Sequence, residues 1–162
     1  METDRQAIKI LDKKTALTKA EHFCAYQERS QQEIRDKLYS YGLRSVEVEE
    51  LISTLIENNF LNEERFAVAY SLGKFRMKHW GRLKIKKGLQ LKRVPPKLVA
   101  KAIQQIDGDE YLSTLQALLE KKNALLKESD VLKRRYKLAQ YAMAKGFEKD
   151  LIFDILKSSN LL

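Results

Sequence analysis

Twelve cations and no carboxylate lie between Glu64 and Asp107: Arg65, Lys74, Arg76, Lys78, Arg82, Lys84, Lys86, Lys87, Lys92, Arg93, Lys97 and Lys101. The chemistry open to such a set is the neutralisation of a polyanion. Side chains of one sign repel each other, so an ordinary solvated helical face mixes signs, and a face that does not is less stable until an anionic partner meets it. Removing these twelve from the 31 Lys+Arg leaves 19 against 22 Asp+Glu, so a chain of net charge +9 stands at −3 outside its middle third. The basicity is local.

At about 100° per residue, Arg82, Lys86, Gln90 and Arg93 form a continuous polar stripe beside an inward one of Ile85 and Leu89, and Lys87 extends the charge past Gln90. Lys74 and Lys78 stand one turn apart just before it, and Lys97 and Lys101 repeat that spacing after Pro95 and Pro96. The expected binding residues are therefore Lys74, Arg76, Lys78, Arg82, Lys84, Lys86, Lys87, Arg93, Lys97 and Lys101. Phosphate contacts would make binding steeply salt-dependent. Gln90 is the one amide on the stripe, whereas readers of base edges mix amides and hydroxyls among their arginines, so contact with a nucleic-acid backbone is expected rather than sequence reading. Stacking of single-stranded bases is not expected, because Phe66, Tyr70 and Trp80 read as core.

Other chemistry finds little footing. His22 and His79 are far apart and neither keeps metal-ligand spacing with Cys, Asp or Glu, and His79 has no nucleophile or orienting carboxylate nearby in sequence. Gly81 and Gly88 lack the context of a phosphate-cradling loop. No catalytic residue, metal site or cofactor is expected, and the chain reads as a non-enzyme. Cys24, alone and flanked by Phe23, Ala25 and Tyr26, reads as a small core residue in a reducing compartment. No run approaches the roughly 20 apolar residues of a membrane span, and Met1 to Ala16 carries charges in place of a signal region, so the expected location is the cytoplasm, away from membranes.

The elements that carry these residues are helices throughout. Apolar residues recur at intervals of three and four, and only 2 Pro and 6 Gly interrupt them. The spacing predicts helices over 18–28, 30–41, 46–59, 62–80, 82–93, 95–106, 109–127, 130–145 and 148–158. Thr18 with Glu21 and Ser30 with Glu33 have capping-box spacing, Asn62 precedes two acids, Pro95-Pro96 suits a first turn, and Gly42 and Gly146 read as stops. Along 62–80 a core stripe of Phe66, Tyr70, Gly73, Met77 and Trp80 opposes a second of Val68, Leu72 and Phe75.

An internal repeat of about fifty residues accompanies this pattern. Superposing Gly42, Arg93 and Gly146 aligns Ile34, Ile85 and Leu138, then Leu38, Leu89 and Ala142, then Leu43, Val94 and Phe147. Allowing the first unit one extra residue aligns Val48, Leu98 and Leu151, then Ile52, Ala102 and Ile155. The expected organisation is an N-terminal arm over 1–16, in which Ile8 and Leu11 hint at a helical turn, followed by three-helix repeats over 17–60, 61–107 (the basic one) and 108–162.

Several motifs in this frame resemble the RecX family of RecA regulators. They are Arg29-Ser30 with Glu33-Ile34-Arg35 and Leu38, Phe60-Leu61-Asn62-Glu63-Glu64-Arg65-Phe66-Ala67, and Gly81-Arg82-Leu83-Lys84-Ile85 with Leu89, within a resemblance spanning Ala20 to Leu156. Phe60 replaces the family's usual glycine, and Lys92-Arg93-Val94 stands where Lys-Gly-Ile/Val is common, which implies a differently shaped turn before Pro95. The resemblance implies an all-α, elongated and curved molecule of three tandem helix-turn-helix-like repeats. It also implies a monomer that lies in the groove of the RecA–single-stranded DNA filament and restrains ATPase, strand exchange and LexA cleavage, in the service of recombination, DNA repair and the SOS response. Some members bind DNA directly. By position Lys74, Arg76, Lys78, Arg82, Lys84, Lys86 and Lys87 would face filament or DNA. Two other readings remain open from the residues: a helical DNA-binding module acting without RecA, and an adaptor that holds another protein through its outer repeats.

Overall fold

The structure, a computed structural model, describes residues 10–159 and 161. Among these it holds nine helices and no strand: α1 Lys13–Tyr26, α2 Gln31–Ser40, α3 Ser45–Glu57, α4 Glu63–Lys78, α5 Arg82–Leu91, α6 Pro96–Gln104, α7 Gly108–Leu125, α8 Val131–Ala144 and α9 Lys149–Ser158. Ile8, part of the turn expected in the arm, lies outside the described residues. The all-helical expectation holds, and the local signals act where expected. Ser30 and Glu33 form a reciprocal capping box, Asn62 Oδ1 accepts from the Arg65 N–H at 2.9 Å, and α6 opens on Pro96.

One start differs. Thr18 does not cap a helix; its hydroxyl donates back to the Lys14 carbonyl at 3.2 Å inside α1, whose N-cap is Asp12. A hydroxyl within a helix can always satisfy itself this way, so the Thr18–Glu21 spacing carried no boundary.

α1, α2 and α3 pack on one another, as do α7, α8 and α9, and α5 packs on α6. By compactness the chain forms two units: the described residues up to Ala67 with Lys92–Val94, and Val68–Leu91 with Pro95 onward. The first has a core of Ala16, Ala20, Cys24, Ile34, Leu38, Val48, Ile52 and Leu55 with their neighbours. Cys24 is one of these, and burial pushes its thiol up to about 11, which makes it an inert packing residue. In the second unit, Phe75, Tyr111 and Phe147 form an aromatic row with ring centres 5.7 and 5.1 Å apart. Leu115, Leu119, Leu138 and Ile152 are fully buried in the same unit.

The repeat is more regular than the sequence overlay required. Gly42, Arg93 and Gly146 all have left-handed φ, at 84°, 58° and 97°. Each lies two residues after a helix ends and three before the next begins, so the register needs no extra residue. The ungapped alignment brings together Val48, Val99 and Ile152, all buried, whereas Leu98 and Leu151 are only half-buried. The expected reshaping of the turn before Pro95 is also absent, because Arg93 takes the conformation that glycine takes in the other two repeats.

α4 corrects a further expectation. Its buried line is Phe66, Ala67, Ser71 and Phe75, while Met77, expected in the core stripe, is 80% exposed. The helix stops at Lys78, and its last turn leaves the core behind.

Candidate functional site

The cationic run divides into residues held by carboxylates and residues that are not. Arg65 pairs with Glu28 at 2.6 Å and also donates to Asn59 and to the carbonyl of Phe60. Lys92 pairs with Glu33 at 2.5 Å, and Arg76 with Glu110 at 3.6 Å. Arg93 reaches only the Gln32 amide oxygen, at 3.5 Å. Lys78, Lys84, Lys86, Lys87 and Lys97 have no carboxylate partner among the described residues, and Lys78, Lys86, Lys87, Lys97 and Lys101 are exposed. With Lys74 they stand on the end of α4, on α5 and on α6, all in the second unit; Arg93 belongs to the first.

Arg82, expected to face a partner, is half-buried and engaged within the second unit. Its guanidinium lies 3.9 Å from the centre of the Tyr111 ring and pairs with Glu148 at 2.8 Å. Glu148 also accepts from the Tyr111 hydroxyl, which in turn accepts the Arg82 backbone N–H at 3.0 Å. Burial, and then the bond to Glu148, raise the phenol well above its ordinary range. Nothing in the charge pattern marks Tyr111 as site-forming; the one signal is its place at the head of the row Tyr111, Leu115, Leu119, at four-residue spacing on α7.

This cluster fixes where α5 begins. A helix leaves its first N–H groups without intrahelical partners. Here Arg82 donates to Tyr111, Leu83 donates to the Gly146 carbonyl at 3.0 Å, and Gly81 donates to the Lys145 carbonyl at 2.8 Å. The Lys145 ammonium returns a bond to the Lys78 carbonyl at 2.9 Å. Between these clamped points, His79 adopts φ 55° and turns the chain so that Trp80 leaves the axis of α4.

Trp80 is therefore half-buried at the surface, not committed to the core. Lys74 from α4 and Lys84 from α5 bring their ammonium groups 4.9 and 4.6 Å from its ring centre. On α5 the expected split holds: Ile85 and Leu89 are fully buried, and Lys86, Lys87 and Gln90 are exposed. Lys86 and Gln90 also edge a groove of about 400 Å³ floored by Leu83, Val99 and Ile103. Among the described residues no cluster of His, Cys, Asp and Glu could hold a metal ion, and no helix is long and apolar enough to cross a membrane.

Three family models match consecutive stretches of the chain: the first three-helix domain of RecX over residues 16–55, the second over 62–103 and the third over 109–156. The chain belongs to the RecX family. It is 34% identical over 131 residues to the regulatory protein RecX of Clostridium perfringens (strain 13 / Type A), a match covering 80% of this chain and 61% of that one. With the regulatory protein RecX of Bacillus mycoides it shares 25% identity over 137 residues, 85% of this chain and 51% of the relative. The chain thus spans little more than half the length of these RecX relatives. A crystal structure of RecX from Lactobacillus salivarius shares its fold with TM-score 0.83 at 23% identity, covering 93% of this chain and 97% of that one. A second, of regulatory protein RecX, gives TM-score 0.82 at 18% identity over 90% and 72%. All three expected repeats thus find a counterpart among the RecX domains.

Proposed function

We propose that this chain is a non-enzymatic regulator of homologous recombination and DNA repair that lies in the groove of the RecA–single-stranded DNA filament and restrains its ATPase, strand exchange and coprotease activities. Membership of the RecX family and the relatives' shared description as regulatory proteins support a regulatory role. The observation that carries the mechanism is that Lys78, Lys84, Lys86, Lys87 and Lys97 have no carboxylate partner among the described residues, in a stretch that contributes no acid of its own. A filament of nucleic acid and protein offers a polyanionic furrow. Cations on a rigid helical support dock into it quickly, and an occupied groove cannot change pitch or extend. The binding residues are Lys74, Lys78, Lys84, Lys86, Lys87, Lys97 and Lys101. Arg76, Arg82 and Arg93 complete the proposed set, with Arg82 acting mainly by holding α5 in place. The protein acts in the cytoplasm as a monomer.

The test is to titrate the chain with RecA–single-strand filaments and with bare DNA at matched salt, beside a variant carrying Lys84→Glu, Lys86→Glu and Lys87→Glu. Filament binding tighter than DNA binding, weakened in the variant with helix content unchanged, is expected. Full inhibition of RecA by the variant at moderate salt would remove these residues from the site. Tighter binding to bare DNA would favour a module acting on nucleic acid without RecA, a reading that the surface position of Trp80 keeps in play.

A further inference from the structure

We infer that Trp80 is a stacking platform for an unpaired nucleobase, with Lys74 and Lys84 receiving the phosphates on either side of it. This goes beyond the filament reading and requires no recombinase.

Three observations converge on it. First, Trp80 is the sole tryptophan of the chain and lies at the surface, in a junction where both flanking segments are fixed. The Lys78 carbonyl and the Gly81 N–H are each hydrogen-bonded to Lys145, and His79 between them holds a left-handed φ that a side chain adopts only against strain. An indole presented from so constrained a turn loses little freedom when a base settles on it. Second, the groups against the ring are the ends of two flexible lysines, at 4.9 and 4.6 Å. An ammonium can leave a ring for a phosphate one bond rotation away, and the vacated face is the right size and polarity for a base. Third, Lys78, Lys86 and Lys87 are exposed on the same two helices, with no carboxylate partner among the described residues.

Aromatic rings within a cationic track are how single strands are held without regard to sequence, since every base has a π-face and every phosphate a charge. Duplex DNA would satisfy the lysines but leave the indole idle, because its bases are already stacked. The preference is therefore for single strands.

The experiment uses the whole chain and its own emission, because every tryptophan signal comes from Trp80. It is titrated at low salt with a short oligothymidylate and with an abasic deoxyribose-phosphate oligomer of the same length, while binding is followed separately by anisotropy of labelled oligomers. The expected result is quenching by oligothymidylate that saturates with the anisotropy curve, and binding without quenching by the abasic oligomer. Trp80→Ala should lower oligothymidylate affinity about tenfold, the order expected for one stacked base, and leave abasic affinity unchanged; Trp80→Phe should retain most of it. Oligothymidylate bound without quenching, equal quenching by both oligomers, or no binding of either would overturn the assignment. So would a stronger response to phosphatidylglycerol vesicles. Should Trp80→Ala fail to fold, the unaltered chain's emission and Trp80→Phe decide the matter. Because RecA is absent, failure here leaves the filament reading standing, and the charge-reversal variant tests that reading separately.

Discussion

The backbone of Gly81 rests on that of Gly146: a Cβ added to Gly81 would fall 2.2 Å from the Gly146 carbonyl carbon. No side chain fits there, and the atoms in the way are main chain rather than a flexible terminus. Gly81→Ala should therefore destabilise the fold by about 3 kcal/mol, the upper range for overpacking. Gly73→Ala is the matched control. It lies within α4 with nothing within 4 Å of its added Cβ and should gain about 0.5–1 kcal/mol. Urea unfolding of the two variants should move in opposite directions.

The Tyr111–Glu148–Arg82 cluster makes a prediction about alkaline pH. The Tyr111 phenol is held above its ordinary range, so the folded state keeps its proton after the unfolded chain begins to lose it near pH ~10. Stability from this group is complete below that pH and falls as pH rises above it. Tyr111→Phe should cost about 1–3 kcal/mol at neutral pH, since it leaves Glu148 short of a donor, but should lose less stability than the unaltered chain between neutral and strongly alkaline pH. Parallel slopes in denaturant titrations would contradict this.

Arg93 holds a left-handed φ of 58° at a position where the other two repeats use glycine. Arg93→Gly should relieve strain and raise stability by about 1 kcal/mol, despite the added freedom of glycine in the unfolded chain. The bond lost to Gln32, at 3.5 Å, is too long to matter. A lowered melting temperature would show that the arginine has a role its contacts do not reveal.

Glu63 supplies a second pH test, of the same sign but in the acidic range. Burial raises its carboxyl above the usual range, although Oε2 accepts the Gln31 N–H at 3.0 Å, and Oε1 is buried without a partner among the described residues. A raised carboxyl means that the folded state favours the proton, so this group's contribution is present below the unfolded value and is lost as pH rises through the folded one. Glu63→Gln should therefore be more stable than the unaltered chain at neutral pH. The gap should close as pH falls toward 4, as read from melting temperatures across that range.

Periodicity revealed the helices and the repeat because each rests on local rules: a left-handed stop, a cap, and apolar residues at spacings of three and four. The same logic failed at Trp80. Extending the 3.6-residue period from Phe66 to Trp80 puts the indole in the core, but the period means nothing once the helix ends at Lys78. The basic stretch was legible as a run and not as a surface. Glu28, Glu33, Glu110 and Glu148 lie outside it in sequence, and only the tertiary fold brings them to Arg65, Lys92, Arg76 and Arg82.

That pairing takes three of the run's four arginines, and Lys92 with them. Arg65, Arg76 and Arg82 are engaged by neighbouring carboxylates, while Lys78, Lys86, Lys87 and Lys97 are exposed with no carboxylate partner among the described residues. A guanidinium recognises through a planar fork, whereas an ammonium on a flexible stem is a point charge that can swivel. Bound as proposed, such a face would have grip but no register: it would let an anionic polymer creep along beneath it, trading one phosphate for the next without letting go.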